Sequence, residues 1–296
     1  MKLIKKETRI DFFGKRRFFF FLSALFIVLG LFVFIERGRS NFAIDFTGGR
    51  LLQLRFEKPI SLNEIRNSLK NMGLSQIPIQ EIGKTKREIV LKTTSSTSGI
   101  LAQFRKGLDN NRFEIVADEM ISPTMGKTLR RKGLLAFFYG IIGILCYVAF
   151  RFEFRFAACG VIAIFHDILI TIGFLALFGK QIDGKIIAAL LALAGYSIND
   201  TIVIFDRIRE NLRKTKKTNH VELFNESINQ VLGRTLITSF TTILVLLSLF
   251  FLGGDVIHNF AFALLVGVIT GTYSSIFIAS ALVIEWEKKS PHRFRV

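Results

Sequence analysis

The chain has few of the residues on which most enzymes and metal proteins depend. It holds two cysteines and four histidines in 296 residues, and it has no phosphate-binding loop or nucleotide motif. Cys146 and Cys159 both fall toward the ends of apolar segments, so we expect small packing residues rather than a disulfide or a metal site. We therefore expect a protein that is not an enzyme and that carries neither metal nor cofactor.

Negative charge is also scarce. The sequence has 23 Asp and Glu against 40 Lys and Arg, a formal net charge of +17. In a soluble protein such a balance would suggest nucleic acid as a partner. Half of the residues are hydrophobic and 32 are Phe, and the mean hydropathy is positive at +0.43. This composition excludes an ordinary soluble fold and predicts a polytopic α-helical membrane protein with no nucleic-acid partner.

Long apolar runs divide the chain. A membrane helix needs about 20 mainly apolar residues, and six segments provide them: 18–35, 133–150, 157–178, 186–205, 236–252 and 260–284. The division predicts a cytoplasmic tail (1–17), a first transmembrane helix (18–35), an extracytoplasmic domain (36–132), five further helices (133–285) and a cytoplasmic tail (286–296).

The basic residues indicate the orientation. Twenty Lys and Arg lie in the two tails and in the segments 151–156 and 206–235, whereas the short loops 179–185 and 253–259 hold only Lys180 and Lys185. Because positive charge accumulates on the cytoplasmic side, we expect both termini in the cytoplasm.

The segment 36–132 has the pattern of a small α+β domain. Strands are expected near 51–56, 77–82, 88–92 and 112–116, with helices from Ser61, which begins a capping box, to about Met72 and from Ser98 to Leu108. The order βαββαβ predicts a ferredoxin-like fold. The domain has no His, no Cys and no nucleophile beside a base, so we expect it to be an adaptor or to contact substrate.

One carboxylate lies unusually deep in an apolar segment. Asp200 precedes Asp206, the last charged turn, by about 9 Å at helical rise. A charged carboxylate at that depth costs at least about 2.5 kcal/mol, so it is expected to be partnered or to take a proton. A proton site is favoured; the alternative is a permanent bond to Ser197 or Tyr196, or to a cation on another helix.

Other polar residues accompany Asp200. His166 and Asp167 lie mid-span in the third helix, either as a proton relay or as a packed polar pair, although neighbours on a helix point about 100° apart. The fourth helix is expected to pack through its small residues, ending at Gly195, and to present Asn199 beyond them. Arg234 begins the fifth helix, where a charge pair with Asp200 is geometrically allowed.

The segment 219–232 predicts an amphipathic helix, capped by Asn219 with Glu222 three residues later. It is expected either to lie on the inner membrane surface and lead into the fifth helix, or to bind a partner.

A proton cycle follows as a hypothesis. Asp200 would alternate between a protonated state and an anion paired with Arg234, because a cation favours the charged carboxylate and burial favours the neutral one. Across 100 mV, one charge supplies about 2.3 kcal/mol, enough to shift a conformational equilibrium by tens-fold.

Four segments resemble the SecF family of protein-export membrane subunits, within the SecD/SecF group of the resistance-nodulation-division superfamily. They are GYSINDT at 195–201 with IFDRIREN at 204–211, FAIDFTGG at 42–49, FHDILIT at 165–171, and GRT at 233–235. The third segment contains His166 and Asp167. The second contains the motif of Asp45, Gly48 and Gly49, whose glycines a plain turn would also explain.

The resemblance implies a function in the bacterial plasma membrane. Members work with SecD, associate with the SecYEG channel and use the proton gradient to help draw preproteins outward; Asp200 and Arg234 match positions needed for this. Membrane lipids would surround the helices. Two alternatives stay open: a proton-driven lipid or drug exporter, which usually has a second, repeated half not visible here, and a structural scaffold of the translocon.

Overall fold

The computed structural model describes residues 10–70, 77, 79–82, 86–93, 97–107, 112–214 and 219–289. The chain divides into two compact units. One comprises Met1–Asn41, Leu135–Gln181 and Lys185–Val296, and the other comprises Phe42–Leu134 with Ile182–Gly184. Most of the predicted tails, residues 1–9 and 290–296, lie outside the described residues, as do the expected ends of the two domain helices, at Met72 and Leu108.

The elements follow one another in a simple order. They are α1 (Arg16–Arg37), α2 (Ile44–Thr47), β1 (Gly49–Phe56), α3 (Leu62–Lys70), β2 (Ile79–Ile82), β3 (Glu88–Thr93), α4 (Thr97–Gly107), β4 (Phe113–Ile121), α5 (Pro123–Arg151), α6 (Phe154–Leu177), α7 (Gly184–Lys214), α8 (His220–Leu252), α9 (Asp255–Ser274), a π-helical segment (Ser275–Ala279) and α10 (Ser280–Lys289).

Six of the described helical segments are long and apolar enough to cross a membrane: Arg16–Asn41, Pro123–Arg151, Phe154–Leu177, Gly184–Lys214, His220–Leu252 and Val256–Lys289. This confirms the predicted six-helix membrane class. The spans formed by α6, α7 and α9 are mostly buried, whereas α1, α5 and α8 are largely exposed. Since exposed apolar helices suit lipid or another subunit, the first three form the centre of the unit.

Two glycines allow a close backbone approach between two helices of this unit. A Cβ added to Gly30 of α1 would lie 2.6 Å from the Cα of Gly173 in α6, and one added to Gly173 would lie 2.8 Å from the Cα of Gly30. Only hydrogen fits on either side at this crossing. The pair therefore sets how closely the two backbones pack.

The other unit contains an antiparallel sheet with strand order β2-β3-β1-β4. Its core joins inward residues of β1 and β3 to apolar residues of α3 and α4, including Leu54, Leu91, Ile65 and Phe104. Ser61 accepts a hydrogen bond from the Glu64 N–H at 3.3 Å and caps α3. The βαββαβ order with this strand order confirms the ferredoxin-like prediction.

The segment 219–232 differs from the expected surface helix. It is the first part of α8, a single helix of 33 residues, and Asn219 caps it as predicted. Phe224 and Ile228 are fully buried, and the Phe224 ring packs on Phe13 and Phe156 at centroid distances of 6.2 and 6.4 Å. The apolar face therefore packs against its own chain, because an uninterrupted helix carries it onto the bundle.

A short segment before α1 also packs on α8. Asn229 accepts from the Ile10 N–H at 3.0 Å and donates to the Ile10 carbonyl at 2.9 Å. Asn225 accepts from the Phe12 N–H at 2.9 Å and donates to Asp11 at 2.9 Å. Two asparagines thus hold an otherwise irregular backbone.

Candidate functional site

Asp167 is the most enclosed carboxylate among the described residues. It lies on α6 with no exposed surface. Ser197 of α7 donates to its Oδ2 at 2.5 Å, and Ser274 of α9 donates to the same atom at 2.9 Å. The imidazole Nδ1 of His166 lies 2.8 Å from Oδ1. Asp167 therefore ties together the three central helices.

His166 extends this cluster toward the first helix. Its Nε2 lies 3.3 Å from the Tyr273 hydroxyl, which in turn lies 3.1 Å from the Ser23 hydroxyl of α1. Although neighbours on a helix point in different directions, the side chains of His166 and Asp167 bend together and share one site. The result is a hydrogen-bonded chain that contacts four helices.

Asp200 has a different environment. It lies on α7, is 2% exposed, and accepts a hydrogen bond from Ser239 of α8 at 3.2 Å. Thr272 of α9 donates to Ser239 at 2.8 Å. Within the described part of the chain, Asp200 thus has a neutral hydroxyl as its hydrogen-bond partner, and neither Ser197 nor Tyr196 takes that position.

The two carboxylate clusters meet along one stretch of α9. Three consecutive residues make these contacts. Thr272 donates to Ser239, the partner of Asp200. The Tyr273 hydroxyl lies next to His166, and Ser274 donates to Asp167. Ser275, the next residue, lies 2.8 Å from the Thr201 hydroxyl and begins the π-helical segment. Such segments interrupt regular helix bonding and recur at functional sites. A change in the backbone here would reach both carboxylates.

Arg234 is not paired with Asp200 among the described residues, so the structure does not show the charge pair that the sequence allowed. Arg234 is exposed, and the ion pairs of the described residues do not join it to Asp200. It precedes Ser239, the actual partner, by five residues, or about 7.5 Å of helix.

Asn199 and Gly195 lie away from the buried clusters. Both are exposed, as are Ala188 and Ala192 at the preceding small positions, and a Cβ added to Gly195 would meet nothing within 4 Å. The described residues therefore do not supply the neighbouring helix against which these positions were expected to pack. The opposite face of α7 carries the intrachain contacts, through residues such as Leu193 and Ser197.

The double-glycine motif has a structural role in its own unit. Gly48 has φ +80°, and a Cβ there would lie 2.9 Å from the Cα of Pro123. A Cβ on Gly49 would lie 2.8 Å from Ile44 and 2.9 Å from the Thr93 carbonyl oxygen. Asp45 is half-buried on α2. Because neither glycine has a side chain, β1 can begin in close contact with Pro123, Ile44 and Thr93. This supports the turn interpretation.

Sequence reasoning missed Ser23 of α1 and three consecutive members of the site on α9: Thr272, Tyr273 and Ser274. The run Thr-Gly-Thr-Tyr-Ser-Ser at 270–275 is unusually polar for an apolar span, and that density was the available signal. Cys146 also differs from expectation, since it is exposed, whereas Cys159 is buried as predicted.

These features define a class: a multi-pass helical membrane protein with a ferredoxin-like domain and ionisable clusters inside its helix bundle. Comparison with known proteins is more specific. Residues 101–289 match the family described as protein export membrane protein SecD/SecF, C-terminal, and residues 41–60 match the SecD/SecF GG motif. The chain belongs to the SecF family of protein translocase subunits, as its motifs indicated.

Relatives match over nearly the whole chain. Protein translocase subunit SecF of Calditerrivibrio nitroreducens is 45% identical over 96% of this chain and 96% of its own length. The SecF of Escherichia coli O157:H7 is 38% identical over 92% of this chain and 86% of its own. These relationships, with the six apolar helices, make this chain a bacterial multi-pass inner-membrane protein and an auxiliary subunit of the Sec translocase.

Two solved structures of SecDF support the same family assignment. SecDF from Thermus thermophilus, described as a translocon-associated membrane protein, matches with a TM-score of 0.82 and 38% identity over 97% of this chain. SecDF in a super-membrane-facing form matches with a TM-score of 0.75 and 38% identity over 95% of this chain. The chain spans 40% and 39% of the lengths of those two chains.

Proposed function

We propose that this chain works with SecD to promote preprotein translocation by the SecYEG channel, using the proton-motive force. Its role is to couple proton movement to conformational change rather than to catalyse a covalent reaction. The observation that carries the proposal is the environment of Asp200: a buried carboxylate in a membrane helix whose hydrogen-bond partner is a neutral serine. A carboxylate so placed is costly when charged and is suited to exchanging a proton.

Asp167 supports a division of roles. It accepts two serine hydrogen bonds and contacts His166, so its oxygens are well satisfied without any exchange. Asp200 has fewer partners and is the better exchange site. Asp167 and His166 either hold the central helices together or relay protons, and both interpretations suit the same contacts.

Arg234 enters the proposed cycle through motion. Pairing with Asp200 requires a shift between α7 and α8, because Ser239, rather than Arg234, now donates a hydrogen bond to the carboxylate. Loss of the Asp200 proton creates the charge that would attract the guanidinium. The present arrangement is then the state in which Asp200 is hydrogen-bonded and Arg234 is free to contact other groups.

The exposed face of α7 supports SecD as the partner. Ala188, Ala192 and Gly195 form a small-residue stripe with Asn199 at its end, all exposed. Small residues allow close helix approach, and an amide inside a membrane needs a hydrogen-bond partner. A helix of SecD packed on this stripe would satisfy Asn199 and bring a second chain close to the Asp200 helix.

The edge of the sheet domain supports contact with preprotein. β4 pairs with β1 on one side and ends the described strand order, and it exposes Ile115, Val116 and Met120. An open edge strand can pair with an extended chain through backbone hydrogen bonds while pockets receive its side chains. An unfolded preprotein segment is such a chain.

We place both termini in the cytoplasm on charge grounds. Arg151 and Arg155 form ion pairs with Asp206 and Glu287 at 2.6 Å, and Arg16 pairs with Glu285 at 2.9 Å. Arg16 begins α1, and basic residues also occupy the last turns of α5, α7 and α10. Positive charge favours the cytoplasmic side, and the sheet domain would then be extracytoplasmic.

The test is preprotein translocation in membrane vesicles that contain the complete translocase. Asp200→Asn keeps the size of the side chain and removes its proton exchange, so gradient-dependent stimulation should disappear while assembly with SecD is retained. Asp206→Asn is the matched control, since it removes a carboxylate of the same helix that lies in a surface ion pair. Full stimulation with Asp200→Asn would favour a structural scaffold.

A further inference from the structure

A groove of about 590 Å³ lies between α8 and the stretch formed by α9 and the π-helical segment. It is lined mainly by apolar side chains, including Leu236, Ile237 and Phe240 of α8 and Ile269 and Phe277 opposite. All of these belong to candidate membrane spans. We propose that this groove binds one acyl chain of an anionic phospholipid at a defined position.

The length of the groove suits one acyl chain. The α8 lining runs from Gly233 to Ile243, which is about 15 Å at helical rise and about half of a 30 Å hydrocarbon core. That is the depth of a single leaflet.

Charge at one end favours an anionic headgroup. Arg234 follows Gly233, the residue at that end of the groove, and lies three residues before Ile237, so it belongs to the same side of α8. It is exposed, and none of the ion pairs of the described residues involves it. A guanidinium at the margin of a membrane segment is a suitable contact for a lipid phosphate.

The floor of the groove gives the site a consequence. Ser239 and Thr272 line it, and these two hydroxyls form the hydrogen-bonded connection to Asp200. A bound chain would cover this pair and keep water away from it. The site does not depend on the proton proposal, because lipid binding follows from shape and charge alone.

Photo-crosslinking tests the proposal. The full chain is placed in nanodiscs with phosphatidylglycerol that carries a diazirine midway along one acyl chain, and labelled peptides are mapped by mass spectrometry. Labelling should concentrate several-fold on 236–243 and 269–277 relative to 244–252 of the same helix. Uniform labelling around the bundle would mean ordinary surrounding lipid and would overturn the proposal.

Substitutions in the groove test the position of the site, and a change of headgroup tests the preference for an anionic lipid. Leu236→Trp and Ile237→Trp each fill the groove from a half-exposed position, so either folded variant should lose most of the label, whereas Val245→Trp, an exposed position outside the groove, should keep it. Equal labelling by phosphatidylcholine with the same chain would contradict the anionic preference. Loss of label upon assembly with SecD would assign the groove to a protein partner and overturn the proposal.

Discussion

Ser239 donates a hydrogen bond to Asp200 across 3.2 Å, joining α8 to α7 at a buried carboxylate. Thr272 of α9 donates to the same serine at 2.8 Å. One hydroxyl therefore connects three membrane helices at the position where a proton would be gained or lost. The strength of this hydrogen bond depends on the charge of Asp200, since an ionised carboxylate accepts a hydrogen bond more strongly than a neutral acid does.

Removal of this hydroxyl tests the connection. Ser239→Ala should weaken gradient-dependent translocation several-fold without preventing assembly, because Asp200 loses its donor while the small side chain still fits. Ser248→Ala is the matched control, since Ser248 is exposed on the same helix and, among the described residues, donates to the Leu244 carbonyl of its own helix. Equal activity of the two variants in the vesicle assay would contradict a functional role for Ser239.

The Asp167 cluster should contribute to stability. Ser274→Ala removes one of the two serine donors to a fully buried carboxylate, and loss of a buried hydrogen-bond partner costs about 1 to 3 kcal/mol. We expect a lower midpoint of thermal unfolding in detergent for Ser274→Ala and for Ser197→Ala, but not for Ser248→Ala. An unchanged midpoint for both serine variants would show that Asp167 does not depend on these donors.

The contact of Gly30 with Gly173 predicts an asymmetry among glycines. Gly30→Ala places a Cβ 2.6 Å from the Gly173 backbone, so α1 and α6 must separate at a cost of about 1 to 3 kcal/mol, as for overpacked sites. Gly143→Ala meets nothing within 4 Å and should be neutral or slightly stabilising, since alanine favours helix. Thermal unfolding of the two variants compares them directly.

The segment before α1 should respond to acid. Hydrogen bonds from the Gly14 N–H and from Asn225 hold the pKa of Asp11 below its ordinary value of 3.8. A lowered folded-state pKa means that this contribution is complete above about pH 3.8 and is lost as the pH falls through the lowered value. The hydrogen-exchange protection of residues 10–14, measured relative to the intrinsic exchange rate at each pH, should therefore fall at low pH, and Asn225→Ala should lower it at neutral pH. Protection that changes neither at low pH nor in Asn225→Ala would contradict the anchoring of residues 10–14 by Asp11 and Asn225.

The membrane architecture could be predicted because it depends on simple quantities. Six apolar runs of sufficient length require six helices, since backbone groups in lipid must be satisfied within the helix. The ferredoxin-like order followed from period-two and period-3.6 patterns interrupted by turns and by the cap at Ser61. Both outcomes rest on local sequence and on chain length alone.

Helix rotation could not be predicted in the same way. The faces of α7 toward lipid and toward protein are both apolar, so hydrophobic periodicity did not show that Ala188, Ala192 and Gly195 point outward. The partner of Asp200 depended on the same rotation, together with the axial offset between α7 and α8. A sequence gives the depth of Arg234 approximately, but Ser239 and Arg234 differ by only five residues, and the register between helices decides which one meets the carboxylate.

The central claim is that Asp200 itself exchanges a proton. Infrared difference spectroscopy on the reconstituted complex with SecD, recorded across the pH range in which translocation responds to the gradient, observes protonated carboxyl groups through their C=O band. We predict a titrating band that is absent in Asp200→Asn and retained in Asp206→Asn. A spectrum in which Asp200→Asn removes no titrating band would contradict the account.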